Sequence, residues 1–150
     1  MEIPYEKTMV EIFRWRVDRS GNDIAHKFEE KETTFNELDS FSNKVAQGLI
    51  EEGCNPDSRV AYLGKNSDIF FEFMYGTFKS RTVTVGVNWR LAPPEVAFIL
   101  NDSSSEILFV GPEFFGLIEE IKDEINLNIA SIEASPVFSN LQFCNFTFVL

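Results

Sequence analysis

Arg59-Val60-Ala61-Tyr62-Leu63 is the first of four short apolar runs that begin about 23 residues apart along the chain. The others are Val83-Thr84-Val85-Gly86-Val87, Ile107-Leu108-Phe109-Val110 and a weaker run at residues 128–132. Nearly continuous apolar runs are typical of strands that are buried on both faces of a parallel sheet. The runs therefore predict a parallel sheet whose connecting segments cross over its two faces.

The segments between these runs carry helix signals. A helix over residues 69–79 can begin at Ser67 or Asp68, which are residue types that cap helix N-termini. Proline suits the first helical turn, and it opens predicted helices over residues 93–101 and from residue 112 to about 125. This alternation predicts an α/β fold, doubly wound, with a parallel sheet and helices on both faces.

The N-terminal third precedes this repeat. Residues 8–17 have the apolar spacing of a short helix, and residues 24–28 and 32–34 predict a hairpin around the charged turn 29–31. Thr34 and Glu37 have the spacing of a capping box, which predicts a long helix that ends near Gly53.

Composition limits the classes of function. With 150 residues, 44% of them hydrophobic and 25% charged, the chain predicts one globular domain. A net charge of −11 disfavours nucleic acid and anionic membrane surfaces as partners. No stretch has the length and apolarity of a membrane span or of a signal peptide, so we expect a cytoplasmic protein.

The last residues differ in composition from the rest. Residues 134–150 carry no charge, and this predicts a division into a domain at residues 1–133 and a divergent, charge-free tail at residues 134–150. Cys54 and Cys144 are too few for a disulfide framework, and we expect both to be thiols.

No sequence motif for catalysis or cofactor binding is complete. Gly111 and Gly116 have the glycine spacing of a Walker loop, but Leu117-Ile118 stands where Lys-Ser/Thr is required, so we interpret the segment as a turn. No G-x-G or G-x-S-x-G occurs. His26 is the only histidine, and we interpret it as a partly exposed hairpin residue, with an acid/base role as the alternative.

Three weaker patterns remain. Glu120 and Glu124 have helical i, i+4 spacing, which indicates a solvated face more than a metal site. The Arg14-Trp15-Arg16 segment indicates a surface patch more than a nucleic-acid site. Open α/β sheets bind ligands outside the carboxyl ends of their strands, so Gly64-Lys65-Asn66 and Asn88-Trp89-Arg90 are candidates by position.

Four segments, taken in order along the chain, form a more specific pattern. They are Thr34-Phe35-Asn36-Glu37-Leu38-Asp39, Ser42-Asn43-Lys44-Val45-Ala46, residues 57–67, and Asn88-Trp89-Arg90-Leu91-Ala92-Pro93-Pro94-Glu95-Val96 through Ile99-Leu100-Asn101-Asp102-Ser103. Their order and spacing resemble the N-terminal region of AMP-forming acyl-CoA synthetases, in the adenylate-forming superfamily, over roughly residues 8–132. Within that superfamily, the last segment is most similar to fatty-acid and related acid–CoA ligases.

This resemblance implies a two-step ligase. A carboxylate attacks the α-phosphate of ATP to give an acyl-adenylate and pyrophosphate, and coenzyme A then displaces AMP to form a thioester, with magnesium accompanying ATP. The resemblance also implies that the phosphate loop and the catalytic lysine lie in later sequence. We therefore assign no catalytic, cofactor-binding or metal-binding residue here, expect no cofactor on the fragment alone, and expect a carboxylic acid as substrate of the complete enzyme.

Two departures from the family pattern bear on stability. Arg81 stands where the family usually has glycine after a helix, and Gly86 stands in a predicted strand where proline is common. Because a fragment leaves a sheet edge uncovered, we also expect self-association. Two alternatives stay open, namely a stand-alone binding or regulatory α/β module and an unrelated flavodoxin-like domain.

Overall fold

The computed structural model of the protein describes residues 6–131. In chain order its elements are α1 (Met9–Ser20), β1 (Ile24–Phe28), β2 (Lys31–Thr34), α2 (Phe35–Glu51), β3 (Arg59–Leu63), α3 (Asp68–Ser80), β4 (Val83–Val87), α4 (Pro93–Asp102), β5 (Ile107–Val110), α5 (Phe115–Ile121) and β6 (Asn128–Ser131), with a 3-10 turn at Pro112–Phe114. Strands β1 and β2 form an antiparallel hairpin, and the other four form a parallel sheet in the order β4-β3-β5-β6. The predicted α/β architecture is confirmed.

Helices cover both faces of the parallel sheet. Successive side chains of β3 and β5 point to opposite faces, so each strand contributes to two separate core clusters. The side that carries α2 and α3 takes Val60, Tyr62, Ile107 and Phe109, and the side that carries α4 and α5 takes Ala61, Leu63, Leu108 and Val110. These eight side chains are at most 4% exposed, which explains why the runs are apolar throughout instead of alternating.

Helices α2 and α3 pack closely because Gly76 has no side chain. A Cβ atom at Gly76 would lie 2.5 Å from Cγ1 of Val45 and 3.2 Å from the carbonyl oxygen of Ser42. Any larger residue would push α3 away from α2. The glycine therefore sets the spacing within this layer.

A buried lysine joins the same two helices. Lys79 of α3 donates hydrogen bonds to Oδ1 of Asp39 at 2.8 Å, to Oγ of Ser42 at 2.8 Å and to Oδ1 of Asn43 at 2.8 Å. Its ammonium also lies 5.2 Å from the ring centroid of Phe13 in α1. Burial lowers the pKa of Lys79, and the contacts with Asp39 oppose that shift.

Helix caps explain where α1 and α2 begin. The predicted capping box is present: Oγ1 of Thr34 accepts from the backbone N–H of Glu37, whose carboxylate accepts from the backbone N–H of Thr34. Thr8 and Glu11 form a second capping box at α1, which the sequence analysis did not identify. Gly53 has a φ of +84°, the left-handed conformation expected after α2.

One predicted helix is too long. The helix expected to run from residue 112 to about 125 instead starts with a 3-10 turn and ends at Ile121. The carbonyl oxygen of Glu124 accepts from Nδ2 of Asn101 at 2.8 Å, and Ile125 and Leu127 pack against the core beyond the helix. The residues after Ile121 are thus held by contacts with the rest of the fold and do not continue the helix. The predicted boundary at 133/134 and the charge-free tail lie outside the described residues.

Arg81 adopts the left-handed conformation that its position requires. Its φ is 62° and its ψ is 25° at the C-terminus of α3, where glycine carries no Cβ penalty. The expected departure from the family pattern is therefore a real conformational cost, on the order of 1 kcal/mol.

Replacing Arg81 by glycine should stabilise the protein by about 1 kcal/mol, because glycine adopts this conformation without strain. The free energy of unfolding in urea measures the effect. Arg19→Gly is the control, since Arg19 lies in the last turn of α1 and a glycine there should destabilise by about 1 kcal/mol. Equal destabilisation by both substitutions would contradict the assigned strain.

Candidate functional site

The strand order defines where a ligand would bind. From β3 the chain moves to β4 on one side of the sheet and then to β5 on the other, so the order reverses between β3 and β5. In open α/β sheets, ligands bind outside the carboxyl ends of the strands at such a switch point. The loops after β3, β4 and β5 therefore form the candidate site by position.

The structure brings together side chains from all three loops, and we call Lys65, Trp89, Arg90 and Glu113 the edge cluster. Cζ of Arg90 lies 4.0 Å from the ring centroid of Trp89, and Nζ of Lys65 lies 5.8 Å from the same centroid. Lys65 also pairs with Oε1 of Glu113 at 3.9 Å. The two loops predicted from strand ends are therefore neighbours in space.

Backbone contacts hold these loops in place. The backbone N–H of Arg90 donates to Oδ1 of Asn88 at 3.1 Å, an Asx turn that follows β4 directly. The hydroxyl of Tyr62 donates to the carbonyl oxygen of Lys65 at 3.3 Å. After β5, the N–H of Gly111 donates to the carbonyl oxygen of Leu63 at 2.9 Å, so this N–H is not free to bind a phosphate.

The edge cluster has the chemistry of a binding surface. Two cationic side chains beside an indole can contact an anionic or planar group. The cluster itself contains no nucleophilic hydroxyl, thiol or imidazole, and Lys65, Arg90 and Glu113 are exposed. It can therefore attract a ligand, but its lysine and its carboxylate are exposed to solvent, with no buried partner that would activate either of them for acid–base or covalent catalysis.

A second group of ionisable side chains lies between the hairpin and α3. Nζ of Lys31 donates to Oδ2 of Asp68 at 2.5 Å. The ring of His26 stacks on that of Phe71 with centroids 5.1 Å apart. Glu72, one helical turn after Asp68, is only 4% exposed. We call His26, Lys31, Asp68 and Glu72 the hairpin cluster.

Burial dominates the protonation of the hairpin cluster. It raises the pKa of Glu72 to about 7, although Lys31 and Lys44 favour the carboxylate. Burial also lowers the pKa of His26, while Asp68 opposes this shift. The hydrogen bond to Asp68 raises the pKa of Lys31. The cluster thus holds a carboxyl and an imidazole that both favour their neutral forms.

Among residues 6–131, two buried polar atoms of this region lack a hydrogen-bond partner. They are Nε2 of His26 and Oγ1 of Thr33, which belong to residues paired across the hairpin. Sequence reasoning placed His26 in the hairpin correctly but missed the cluster. The available signal was Glu72, a carboxylate inside the apolar run Ile69-Phe70-Phe71-Glu72-Phe73.

The Walker-like spacing does not form a phosphate loop. Pro112–Phe114 is a 3-10 turn, and Gly116 lies inside α5, so the two glycines do not flank a loop of free N–H groups. The segment is a turn, as predicted. The residues described here therefore do not fit the phosphates of a nucleotide at this position.

The other sequence candidates also take structural positions. Glu124 lies beyond the end of α5, so it does not share a helix face with Glu120 as predicted. Arg16 pairs with Asp23 at 3.3 Å, and Cζ of Arg19 lies 4.6 Å from the ring centroid of Trp15, as in a surface patch. Cys54 is a free thiol.

Clusters of metal-ligating side chains and long apolar helices are both absent from residues 6–131. No three His, Cys, Asp or Glu side chains in this range lie together as they would around a metal ion. None of the helices in the same range has the length and apolarity needed to cross a membrane.

The chain matches a known family over most of its length. The model of the family described as AMP-binding enzyme covers residues 13–141. The fatty acid–acyl-carrier-protein ligase ScoC of Streptomyces coeruleorubidus is 38% identical over 118 residues, which are 79% of this chain and 23% of ScoC. The long-chain-fatty-acid–CoA ligase FadD13 of Mycobacterium tuberculosis is 37% identical over 89 residues, which are 59% of this chain and 18% of FadD13.

A solved structure agrees with these matches. The anthranilate CoA ligase AuaEII in complex with anthranoyl-AMP superposes with a TM-score of 0.80 at 28% identity, covering 88% of this chain and 27% of that chain. The matched region thus spans between 18% and 27% of the lengths of these three relatives.

Glu72→Gln should remove a pH dependence of stability. Because the pKa of Glu72 rises from 4.5 to about 7 on folding, its contribution is fully present below pH 4.5 and is lost as the pH rises through about 7. The free energy of unfolding of the variant minus that of the parent should therefore increase by about 3 kcal/mol as the pH rises from 4.5 to 7. Urea unfolding at a series of pH values measures the difference.

Glu37→Gln is the control for Glu72→Gln, because hydrogen bonds from Thr34 lower the pKa of Glu37. Its difference from the parent should change with pH in the opposite direction. A difference between Glu72→Gln and the parent that does not depend on pH would show that the Glu72 carboxyl ionises normally in the folded protein.

Proposed function

The chain belongs to the AMP-binding enzyme family, and from this assignment we propose that it is the N-terminal part of an ATP-dependent ligase for a fatty acid or a related carboxylate. The observation that carries the proposal is the family match over residues 13–141, together with the 23% of ScoC that the chain covers. Two of the relatives are fatty-acid ligases by name, which supports an aliphatic carboxylic acid as the substrate.

The proposed reaction follows the family resemblance. The complete enzyme joins the carboxylate to AMP with release of pyrophosphate, and a thiol then displaces AMP to form a thioester. ATP, magnesium and coenzyme A are the cofactors and co-substrates of that complete enzyme. ScoC is named as a ligase for an acyl-carrier protein and FadD13 as a ligase for coenzyme A. An acyl-carrier protein is therefore the alternative to coenzyme A as the thiol that receives the acyl group. A cytoplasmic location is part of the same proposal.

We further propose that the 150-residue chain has no adenylation activity by itself. Adenylation requires preorganised donors and a metal ion around the triphosphate. Residues 6–131 offer exposed cations at the edge cluster, but the N–H of Gly111 already donates to Leu63 and Gly116 lies within a helix. The chain thus supplies the first layers of the fold, and the groups that react with ATP come from elsewhere in the enzyme.

Of the alternatives from the sequence, the unrelated flavodoxin-like domain is wrong, because the family match covers most of the chain. The stand-alone binding or regulatory module differs from the ligase proposal in what the gene encodes after the codon for Leu150. Sequencing the downstream DNA in all three frames should reveal a Ser/Thr/Gly-rich phosphate loop. If no frame encodes one, the stand-alone module replaces the ligase proposal.

The activity prediction is tested by ATP–pyrophosphate exchange. The purified chain, given ATP, magnesium and fatty acids of several lengths, should exchange no labelled pyrophosphate above the rate without enzyme. Intact ScoC under the same conditions is the positive control. If the chain exchanges pyrophosphate in a way that depends on the added acid, the proposal that it cannot adenylate by itself is overturned.

A further inference from the structure

Strand β4 forms an uncovered edge of the parallel sheet within residues 6–131. In this range it pairs with β3 on one side only. Val83 is 42% exposed, whereas the apolar residues of β3 and β5 are at most 4% exposed. Within residues 6–131 the helices therefore bury the central strands, whereas Val83 at the start of β4 stays exposed.

The backbone of β4 shows which groups face outward. The N–H of Val83 donates to the carbonyl oxygen of Ser58 at 2.8 Å, so the N–H and C=O groups of Val83 face the rest of the sheet. Because these directions alternate along a strand, the N–H and C=O groups of Thr84 and Gly86 point away from the sheet. Within the described part of the chain, four backbone groups without a strand partner thus lie along this edge.

The edge lacks the features that usually prevent pairing with another strand. Val83–Val87 contains no charged residue and no proline, and its register with β3 is continuous, without a bulge. The N–H of Gly86 is one of the outward groups, and a proline at this position would remove it.

We propose that two copies of this chain associate through β4, antiparallel, around a two-fold axis at Val85. In this register Thr84 of one copy exchanges both of its backbone hydrogen bonds with Gly86 of the other, and the symmetric pair does the same. The result is four intermolecular hydrogen bonds and one sheet that continues across both copies. Val85 meets Val85 of the second copy as a pair without backbone hydrogen bonds.

The sequence of β4 suits a second copy of itself. Valines at positions 83, 85 and 87 share one face, and Val85 and Val87 belong to the core on the α4–α5 side. The two-fold register places Val83 of one copy opposite Val87 of the other, so valine packs against valine. It also places Thr84 opposite Gly86, so the threonine side chain lies beside a residue without one. The interface is self-complementary, as a two-fold dimer requires.

Charge affects the strength of this association but does not prevent it. The net charge of −11 makes two copies repel each other at long range, and salt screens this repulsion. No charged residue lies within the paired strands, and the register places Arg81 opposite Trp89 of the second copy, so like charges do not meet there. We therefore expect a weak dimer that becomes tighter as the salt concentration rises.

Cysteine cross-linking tests the register directly. In a Cys54→Ser, Cys144→Ser background, Val85→Cys places two thiols opposite each other, where the Cα atoms of such a pair are about 4.5 Å apart and within disulfide range. Val83→Cys is the matched control, since its own copy lies four residues along the second strand, about 13 Å away. Mild oxidation by air with a copper catalyst should link the first variant and leave the second unlinked.

Sedimentation equilibrium tests the association without cysteines. The parent chain should show a monomer–dimer equilibrium over a range of roughly 5 to 500 μM, as expected of a small interface. Gly86→Pro removes two of the four intermolecular hydrogen bonds and should weaken dimerisation at least about tenfold. Gly86→Ala keeps the N–H, its Cβ has open space around it, and it should dimerise like the parent.

The results that would overturn the proposal are equally specific. A parent chain that is monomeric at every concentration, or a Val83→Cys variant that links as readily as Val85→Cys, contradicts the β4 interface. Thermal melts of each variant show whether it folds. If Val85→Cys does not fold, sedimentation equilibrium of the parent, Gly86→Pro and Gly86→Ala tests the interface without it.

Discussion

The two-sided burial of β3 and β5 is the constraint on which the rest of the structure depends. Each strand supplies alternate side chains to two core clusters, one under α2 and α3 and one under α4 and α5. Removing either helical layer would expose the alternate side chains of β3 and β5 that face that layer to water. The apolar character of the runs and the presence of helices on both faces follow from this requirement.

The α2–α3 layer is fixed more tightly by specific contacts than by its apolar area alone. Gly76 allows the two helices to approach, and Lys79 then satisfies oxygen atoms of Asp39, Ser42 and Asn43. The hairpin packs against the same layer through the Lys31–Asp68 pair and the His26–Phe71 stack. A two-stranded hairpin is marginal on its own, so its order depends on the helices beneath it.

Local signals predicted the repeating core well. The bounds of β3, β4 and β5 and the Thr34–Glu37 capping box are confirmed, because buried runs and caps are encoded by neighbouring residues. The predicted end of α5 was wrong: the chain after Ile121 leaves the helix and contacts Asn101, more than twenty residues away, which no local pattern reveals. The hairpin cluster was missed for the same reason: it unites residues from two strands and a helix that have no shared sequence pattern.

The candidate site was also predicted only in part from the sequence. The general rule for open sheets placed the two strand-end loops correctly next to each other, and the structure added Glu113 from the third loop. The central proposal is that these exposed loops give at most weak, non-saturating charge attraction and do not form a nucleotide site in this chain. The most direct test is a titration of the labelled chain with ATP and magnesium, followed by amide NMR. The account predicts no saturable shifts at residues 64–66 and 88–90, whereas saturable shifts at both loops, at micromolar ATP, would contradict it.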